Sequence, residues 1–422
     1  MWGMSMKRSR PTATDDAERH LLALRPALRP HIEALHWRDD ATVATQVRLA
    51  QLPAPTGAEA RRAMLVRDAL LLRGFRDVRV DAVGNVIARR PAHGREQRPV
   101  VCLAHLDTVF DADTPLEVRR DGVRIACPGI GDNARGLAAM LAIADALGVP
   151  GLDGDAMALD RPIEFVATVG EEGLGNLRGA RAYFDALEET GVQPHAVVAL
   201  DGPGDERIVH HALGSHRYRI TYDGPGGHSW ADFGHPNAVH AATRAAFWLA
   251  TLSAEFRGRL AVTVSRIGGG ESLTAIPSHA WLEVDVRATS AALLTRVDEQ
   301  VRSLVRQSVL DENRGHSHAP MRADVSLIGA RPAGELAADH PVVALALAAT
   351  RAAGREPLAA VASTDANIPL ARGIPAVTIG AGGRGGGAHT PDEWFENTAG
   401  ARGVARALTL LVSLAIGEAS VG

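Results

Sequence analysis

Four short apolar runs in this 422-residue chain each lead to a histidine or a carboxylate. They are PVVCLA (99–104) before His105, PIEFVATV (162–169) before Glu171 and Glu172, AVVAL (196–200) before Asp201, and Val377 to Ile379 before His389. Continuous apolar runs of this length, rich in β-branched residues, are typical of strands buried in a parallel sheet. The carboxyl ends of such strands open onto one crevice, so the polar side chains that follow them are expected to converge there.

A further carboxylate, Asp132, stands at the start of a predicted helix. The segment PGIGDNARGLAAMLAIADAL (128–147) carries apolar residues at helical spacing behind its Gly-Asp-Asn start. Each of these motifs alone is more often a turn or a plain N-cap, and it is their joint occurrence that favours a metal site. Two histidines with three or more carboxylates suit a pair of divalent ions bridged by a carboxylate.

The composition excludes several other classes of function. Lys and Arg number 45 against 49 Asp and Glu, for a net charge of −4, so no nucleic-acid partner is expected. Lys7 is the sole lysine, which excludes a Walker-type phosphate loop and a catalytic lysine in the body of the chain. The start of the chain lacks the apolar segment of a secretory signal, and no run approaches the ~18 apolar residues that span a membrane. With only Cys102 and Cys127 available for a disulfide, these features predict a cytoplasmic protein without a membrane partner.

The order of the predicted elements changes in the middle of the chain. From SHRYRITYDG (215–224) onwards it is strand, helix, strand, strand, helix, strand, which is typical of a ferredoxin-like domain. We therefore predict an α/β protein with a doubly wound, mostly parallel sheet in a discontinuous catalytic domain, residues 15–212 plus 330–422. An α+β ferredoxin-like domain (213–329) is inserted in it, and residues 1–14 are expected to be disordered.

Two local features are predicted nearer the N-terminus. Residues 15–52 carry apolar side chains at helical spacing, interrupted by Pro26 and Pro30, which predicts two helices broken at the prolines. Thr56 and Glu59 have the spacing of a capping box for the helix that follows.

Six motifs in order resemble those of the co-catalytic metallopeptidase family of clan MH. They are HLDTVF, GIGDNARGLAAM, VATVGEEG, ALDGPG, GPGGHSW and GAHTPDE, and the resemblance covers nearly the whole chain. The family includes aminoacylase, glutamate carboxypeptidase, peptidase T, carnosinase and succinyl-diaminopimelate desuccinylase. The resemblance implies one ion held by His105, Asp132 and Asp201. It implies a second ion held by Asp132, Glu172 and His389, with Asp132 bridging the two.

The resemblance also implies roles for the residues around the ions. Glu171 would act as general base and general acid, outside the coordination sphere. Asp107 would orient His105 through its second ring nitrogen. The peptide bond between Asp132 and Asn133 would be cis.

In the inserted domain, three residues match positions that meet the substrate in similar proteins. His228 corresponds to a histidine that reaches across a dimer into the partner's site and stabilises the oxyanion, so this domain would serve as a lid and dimerisation domain. Arg287 matches a position that binds a substrate carboxylate, although a salt bridge within the domain is the alternative. Thr274 replaces an asparagine that lies near the substrate in relatives.

Together these features predict a metal-dependent hydrolase that cleaves an amide bond of a small peptide or an N-acyl amino acid. Zinc is the first choice of ion, with manganese or cobalt as alternatives, and a homodimer through the lid domain is expected. Thr274 and the glycine-rich loop GAGGRGGGAHT keep open a hydrolase of another C–N bond, in an aromatic amine or a carbamoyl compound. A non-catalytic binding protein is disfavoured, because the base and all five ligands are present.

Overall fold

The computed structural model describes residues 12–94, 96–148, 157–314 and 319–417, and the chain divides into two compact units. One unit runs to His210 and resumes at Glu335, and the other spans His211–Gly334. The helices are α1 (Ala13–Trp37), α2 (Asp39–Ala50), α3 (Ala60–Leu72), α4 (Ala134–Leu147), α5 (Arg178–Glu189), α6 (Ala238–Thr251), α7 (Ala291–Asn313), α8 (Pro341–Ala352), α9 (Asn367–Ala371) and α10 (Gly400–Ala415). The strands are β1 (Val78–Val80), β2 (Val86–Arg90), β3 (Val100–His105), β4 (Arg119–Asp121), β5 (Arg124–Ala126), β6 (Ile163–Thr168), β7 (Ala196–Leu200), β8 (Arg207–Ala212), β9 (Gly214–Asp223), β10 (Gly227–His228), β11 (Leu260–Gly269), β12 (Ala275–Ile276), β13 (His279–Ala288), β14 (Arg322–Arg331), β15 (Gly334–Glu335), β16 (Leu358–Ala362), β17 (Ala376–Ile379), β18 (Arg384–Gly386) and β19 (Trp394–Glu396).

The first unit is built on a large sheet whose central strands are parallel. β6, β3, β7 and β17 lie side by side in that order, with β2 and β1 antiparallel at one edge and β8 antiparallel beyond β17. Every residue of the four central strands is buried, which is why these segments are almost continuous apolar runs. α4 and α10 pack on β3 and β7, and the predicted α/β class with a large, mostly parallel sheet is confirmed.

The first helix differs from its prediction. α1 continues through Pro26 and Pro30, and the chain breaks instead at Arg38, between α1 and α2. Each proline removes a helical hydrogen bond, but an apolar stripe holds the helix against α8 and α10. The buried leucines of this stripe are Leu21, Leu24, Leu28 and Leu35. Tertiary packing therefore overrides the local break.

Of the segment 1–14 that is predicted to be disordered, residues 1–11 lie outside the described residues. Thr12 caps α1, because its side chain accepts a hydrogen bond from the backbone N–H of Asp15. Ala13 and Thr14 are thus helical and not disordered. The predicted insertion, 213–329, lies within the second unit, and its role as a lid and dimerisation domain stays a prediction.

The second unit is an antiparallel sheet with two helices. Its strands lie in the order β11-β13-β9-β14, and α6 and α7 pack on them to form a separate apolar core. In chain order these elements alternate as β9-α6-β11-β13-α7-β14, the ferredoxin-like order. None of the helices in the described ranges combines the length and the apolarity needed to cross a bilayer.

Arg135, in α4, is a fully buried cation that joins distant segments of the first unit. Its Nε donates to the carbonyl of Ala381 at 2.8 Å, and its Nη2 donates to the carbonyl of Gly400 at 2.9 Å. The guanidinium also lies 5.0 Å from the ring centre of Phe395. Burial lowers the pKa of Arg135 to about 10, so the side chain stays charged at neutral pH.

Replacing Arg135 with alanine is expected to destabilise the protein by about 3 kcal/mol, because two buried carbonyl groups lose their donors. Urea denaturation followed by circular dichroism measures the free energy of unfolding. Arg29→Ala, at an exposed site of α1, is the control and should leave it unchanged. Equal stability of the two variants would show that Arg135 does not tie these segments together.

Candidate metal centre

The predicted ligands lie at the carboxyl edge of the central strands of the first unit. His105 ends β3, Asp201 follows β7, and Asp132 stands two residues before α4. Ligand atoms of His105, Asp132 and Asp201 all lie within 4.8 Å of one another, and so do those of Asp132, Glu172 and His389. These two groups contain the same residues that the family resemblance implies for the two ions.

The carboxylate of Asp132 belongs to both groups. Its Oδ1 lies 3.0 Å from Nε2 of His105, and its Oδ2 lies 3.2 Å from Nε2 of His389. Nε2 of His389 also lies 3.0 Å from Oε1 of Glu172. One carboxylate thus faces two histidines with different oxygens, which is the arrangement that a bridging ligand needs.

Negative charge dominates the electrostatics of the site. Hydrogen bonds with Asp132 and Glu172 raise the pKa of His389 to about 10. Burial alone would lower the pKa of His105, but the neighbouring carboxylates of Asp107 and Asp132 outweigh burial and raise it. Burial and the neighbouring Asp132 raise the pKa of Asp201. Such a cluster of carboxylates and imidazole nitrogens fits borderline-hard divalent ions, which would neutralise the charge.

The carboxylate of Asp107 organises the glutamate pair. Its Oδ1 accepts the backbone N–H of Glu171 and its Oδ2 that of Glu172, both at 2.9 Å, while the hydroxyl of Thr56 donates to Oδ2 at 2.8 Å. The second ring nitrogen of His105, Nδ1, lies 3.1 Å from the backbone carbonyl of Asp107 and 3.6 Å from its Oδ1. The backbone carbonyl is therefore the closer partner of His105, and the carboxylate mainly holds the backbone of the two glutamates.

The predicted capping box before α3 is wrong. Glu59 is the N-cap residue, without a side-chain cap, and α3 begins at Ala60. The carboxylate of Glu59 accepts backbone N–H groups of Gly57 at 2.9 Å and Gly170 at 3.0 Å. The hydroxyl of Thr56 donates to the carboxylate of Asp107, as described above. Glu59 thus holds the loop before the glutamate pair and Thr56 holds Asp107, which are contacts across more than 50 residues of sequence that local spacing does not reveal.

Asn133 connects the loop of Asp132 to the loop of Asp201. The Asp132–Asn133 peptide bond is cis, as the resemblance implies. Nδ2 of Asn133 donates to the carbonyl of Leu200 at 2.9 Å, and its Oδ1 accepts the backbone N–H of Gly202 at 3.2 Å. The same oxygen caps α4. The side chain thereby sets the position of both ligand loops.

Glu393 is a residue that sequence reasoning missed. Its buried carboxylate accepts backbone N–H groups of Gly129 at 2.7 Å, Gly131 at 2.8 Å and Asp132 at 2.8 Å. Burial raises the pKa of Glu393 to about 7, against the opposing effect of these hydrogen bonds. Its position in the HTPDE sequence, four residues after His389, was the available signal.

The glycine-rich loop (380–390) owes its glycines to packing. A Cβ on Gly383 would lie 2.3 Å from the ring of Phe395, and one on Gly385 would lie 2.5 Å from Pro203. Pro203 follows the ligand loop after β7, so side chains here would push that loop away. These packing contacts explain the glycines, and no bound ligand is needed to explain them.

The second unit holds the remaining predicted residues. His228 on β10 pairs with Ala275 on β12, and the carbonyl of Thr274 accepts the backbone N–H of Ser229 at 2.9 Å, so His228 and Thr274 occupy neighbouring segments. Arg287 lies on β13, where its Nε donates to Asp285 at 2.8 Å. The salt bridge considered as the alternative for Arg287 is therefore present, and the substrate roles of these residues stay predictions.

Replacing Glu393 with glutamine is expected to weaken divalent-ion binding by about 10- to 100-fold, because the amide cannot accept all three backbone N–H groups that hold the Asp132 loop. Competition with a chromophoric chelator measures the affinity. Asp392→Asn is the control, since this neighbouring carboxylate is 85% exposed. Unchanged affinity in Glu393→Gln would show that Glu393 does not support the site.

Solved structures share this fold at low sequence identity. Aminopeptidase PepT from Bacillus cereus is 20% identical, with 89% of this chain and 98% of that one covered and a TM-score of 0.71. The YXEP protein of Bacillus subtilis, described as a dinuclear metal binding peptidase from the M20 family, is 18% identical, with 91% and 99% covered and a TM-score of 0.65. An amidase of the hydantoinase/carbamoylase family from Burkholderia vietnamiensis is 19% identical, with 90% and 97% covered and a TM-score of 0.67.

Sequence comparison supplies the family. A comparison with curated proteins finds no match. The model of Peptidase family M20/M25/M40 matches residues 101–413, which is most of the chain. This match confirms the predicted relationship and, with it, the predicted class of a metal-dependent hydrolase of amide bonds. The chain belongs to peptidase family M20/M25/M40.

Proposed function

We propose that this member of the family cleaves an amide bond of a small peptide or an N-acyl amino acid, with two divalent ions in its site. The observation that carries the proposal is the pair of ligand groups that share Asp132. His105 and Asp201 would complete the first set, and Glu172 and His389 the second. When bound, divalent ions supply Lewis acidity, which polarises a carbonyl group and makes water more acidic.

Glu171 is the proposed proton carrier. A carboxylate oxygen of Glu171 and ligand atoms of His105 and Glu172 all lie within 4.8 Å of one another. The backbone N–H of Glu171 donates to Asp107 at 2.9 Å. Only 5% of Glu171 is exposed, so the carboxylate exchanges protons in a site largely screened from bulk water. It would take a proton from the attacking water and deliver it to the leaving amine.

His228 is the proposed donor to the oxyanion, supplied by a second copy of the chain. The backbone N–H groups of Trp230 and Ala231 both donate to its Nδ1 at 3.2 Å. Since Nδ1 accepts, a neutral ring carries its proton on Nε2. An Nε2–H donor suits an oxygen on which negative charge develops during acyl transfer.

A second candidate is hydrolysis of a non-peptide C–N bond in a carbamoyl compound or an aromatic amine. Thr274 favours it, because threonine is shorter than the asparagine of relatives and has no amide for a peptide substrate. Arg287 is the proposed partner of a substrate carboxylate, for which it would exchange Asp285. A panel of dipeptides, tripeptides, N-acyl amino acids and N-carbamoyl amino acids separates the two candidates. Turnover of the carbamoyl compounds alone would favour the second.

Separate glutamine substitutions test the division of labour between the two glutamates. Glu172→Gln is expected to lose one of the two ions per chain, because Glu172 is the proposed ligand of the second ion alone. Glu171→Gln is expected to keep both ions and to lose at least about 100-fold in kcat, because an amide carries no proton between water and amine. Metal analysis by mass spectrometry and turnover of the best panel substrate measure the two effects.

Glu189→Gln, at the exposed end of α5, is the matched control and should change neither quantity. Full activity in Glu171→Gln would contradict its assigned role. The two-ion proposal itself fails if the wild-type protein holds no divalent ion and gains no activity with zinc, manganese or cobalt. Zinc is the ion we propose first, and the cytoplasmic location stays a prediction.

A further inference from the structure

The second unit displays three large apolar side chains near His228. Trp230 and Phe233, in the turn after His228, are each 86% exposed, and Leu273, next to Thr274, is fully exposed. Large apolar side chains exposed on neighbouring segments forgo hydrophobic stabilisation and commonly mark a contact surface.

The turn does not need these side chains for its shape. The backbone N–H of Asp232 donates to the carbonyl of His228 at 3.0 Å, and the Asp232 carboxylate accepts the backbone N–H of His228 at 2.7 Å. The ring of His235 bonds to the carbonyl of Gly226 at 2.9 Å. Polar contacts therefore fix the turn, and Trp230 is left outside its packing.

The apolar side chains come from the two segments that carry His228 and Thr274. The pairing of β10 with β12 places His228 opposite Ala275, and the backbone of Ser229 bonds to Thr274. Leu273 and Trp230 each lie one residue beyond this contact along their own segment. The exposed apolar groups thus flank the histidine on both paired segments.

We propose that Trp230, Phe233 and Leu273 form an apolar contact surface for the substrate and select a large apolar group next to the cleaved bond. This inference rests on the proposed function, in which His228 reaches the oxygen of the reacting carbonyl. Groups so close to His228 in the chain then meet the parts of the substrate that adjoin that carbonyl. Apolar contact of this kind discriminates substrates by size.

The test uses matched substrates of the class that the wild-type protein cleaves, with phenylalanine or alanine on either side of the bond. Trp230→Ala is expected to lower kcat/KM about 10-fold for the phenylalanine substrates and to leave the all-alanine substrate within about 2-fold. Trp230→Phe should keep most of the preference, and Leu273→Ala should reduce the same ratio. Trp37→Ala is the matched control, because Trp37 at the end of α1 is 88% exposed.

The possible outcomes separate this inference from the proposed function. No turnover of any amide by the metal-loaded wild-type protein would defeat the proposed function. Turnover without a preference for phenylalanine, or equal loss for all substrates in Trp230→Ala, would overturn the apolar surface alone. The alternative is that these side chains contact a second copy of the chain, and light scattering of the same variants tests it. A change of oligomeric state in Trp230→Ala would assign the apolar side chains to that contact and would overturn the inference.

Discussion

The carboxylate of Asp132 faces His105 with one oxygen and His389 with the other, and the candidate metal centre depends on this contact. The two histidines stand 284 positions apart in the sequence, and a single short side chain reaches both. A displacement of the Asp132 loop would therefore disturb both ligand groups at once. Hydrogen bonds from Glu393 and Asn133 hold this loop in place.

Three side chains support the site, and all three form hydrogen bonds with backbone groups. Glu393 accepts hydrogen bonds from the backbone of the segment that leads to Asp132. Asn133 bonds to the backbone at the end of β7 and in the loop after it, and Asp107 accepts the backbone N–H groups of the glutamate pair. Backbone N–H groups are fixed once the fold is formed, so they position a carboxylate without the entropy that a flexible side-chain partner would lose. The same bonds keep buried carboxylates satisfied, since an unpaired charge in this position would be costly.

The second unit carries predicted site residues of a different kind. In its turn after His228, the backbone N–H groups of Trp230 and Ala231 donate to Nδ1 of His228, and the side chains of Trp230 and Phe233 are exposed. The first unit therefore carries the charged groups suited to the chemical step. In the proposed function, the second unit would supply a donor and an apolar surface that recognise the substrate, and so reaction and selection would be separated.

Residue types and local patterns in the sequence were enough for the class of fold, the central strands and the convergence of the five predicted ligand residues. Strand runs are local and apolar, and parallel strands deliver their ends to one edge, so His105 and Asp201 could be placed together without a structure. The supporting contacts could not, because Thr56 meets Asp107 and Glu393 meets Asp132 across long stretches of chain with no local signature. Packing likewise decided that α1 continues through its prolines, and that Phe395 and Pro203 require glycines beside them. What the sequence determined by itself was which groups could do chemistry; the tertiary structure decided which groups hold them in place, because those partners are chosen by proximity in space.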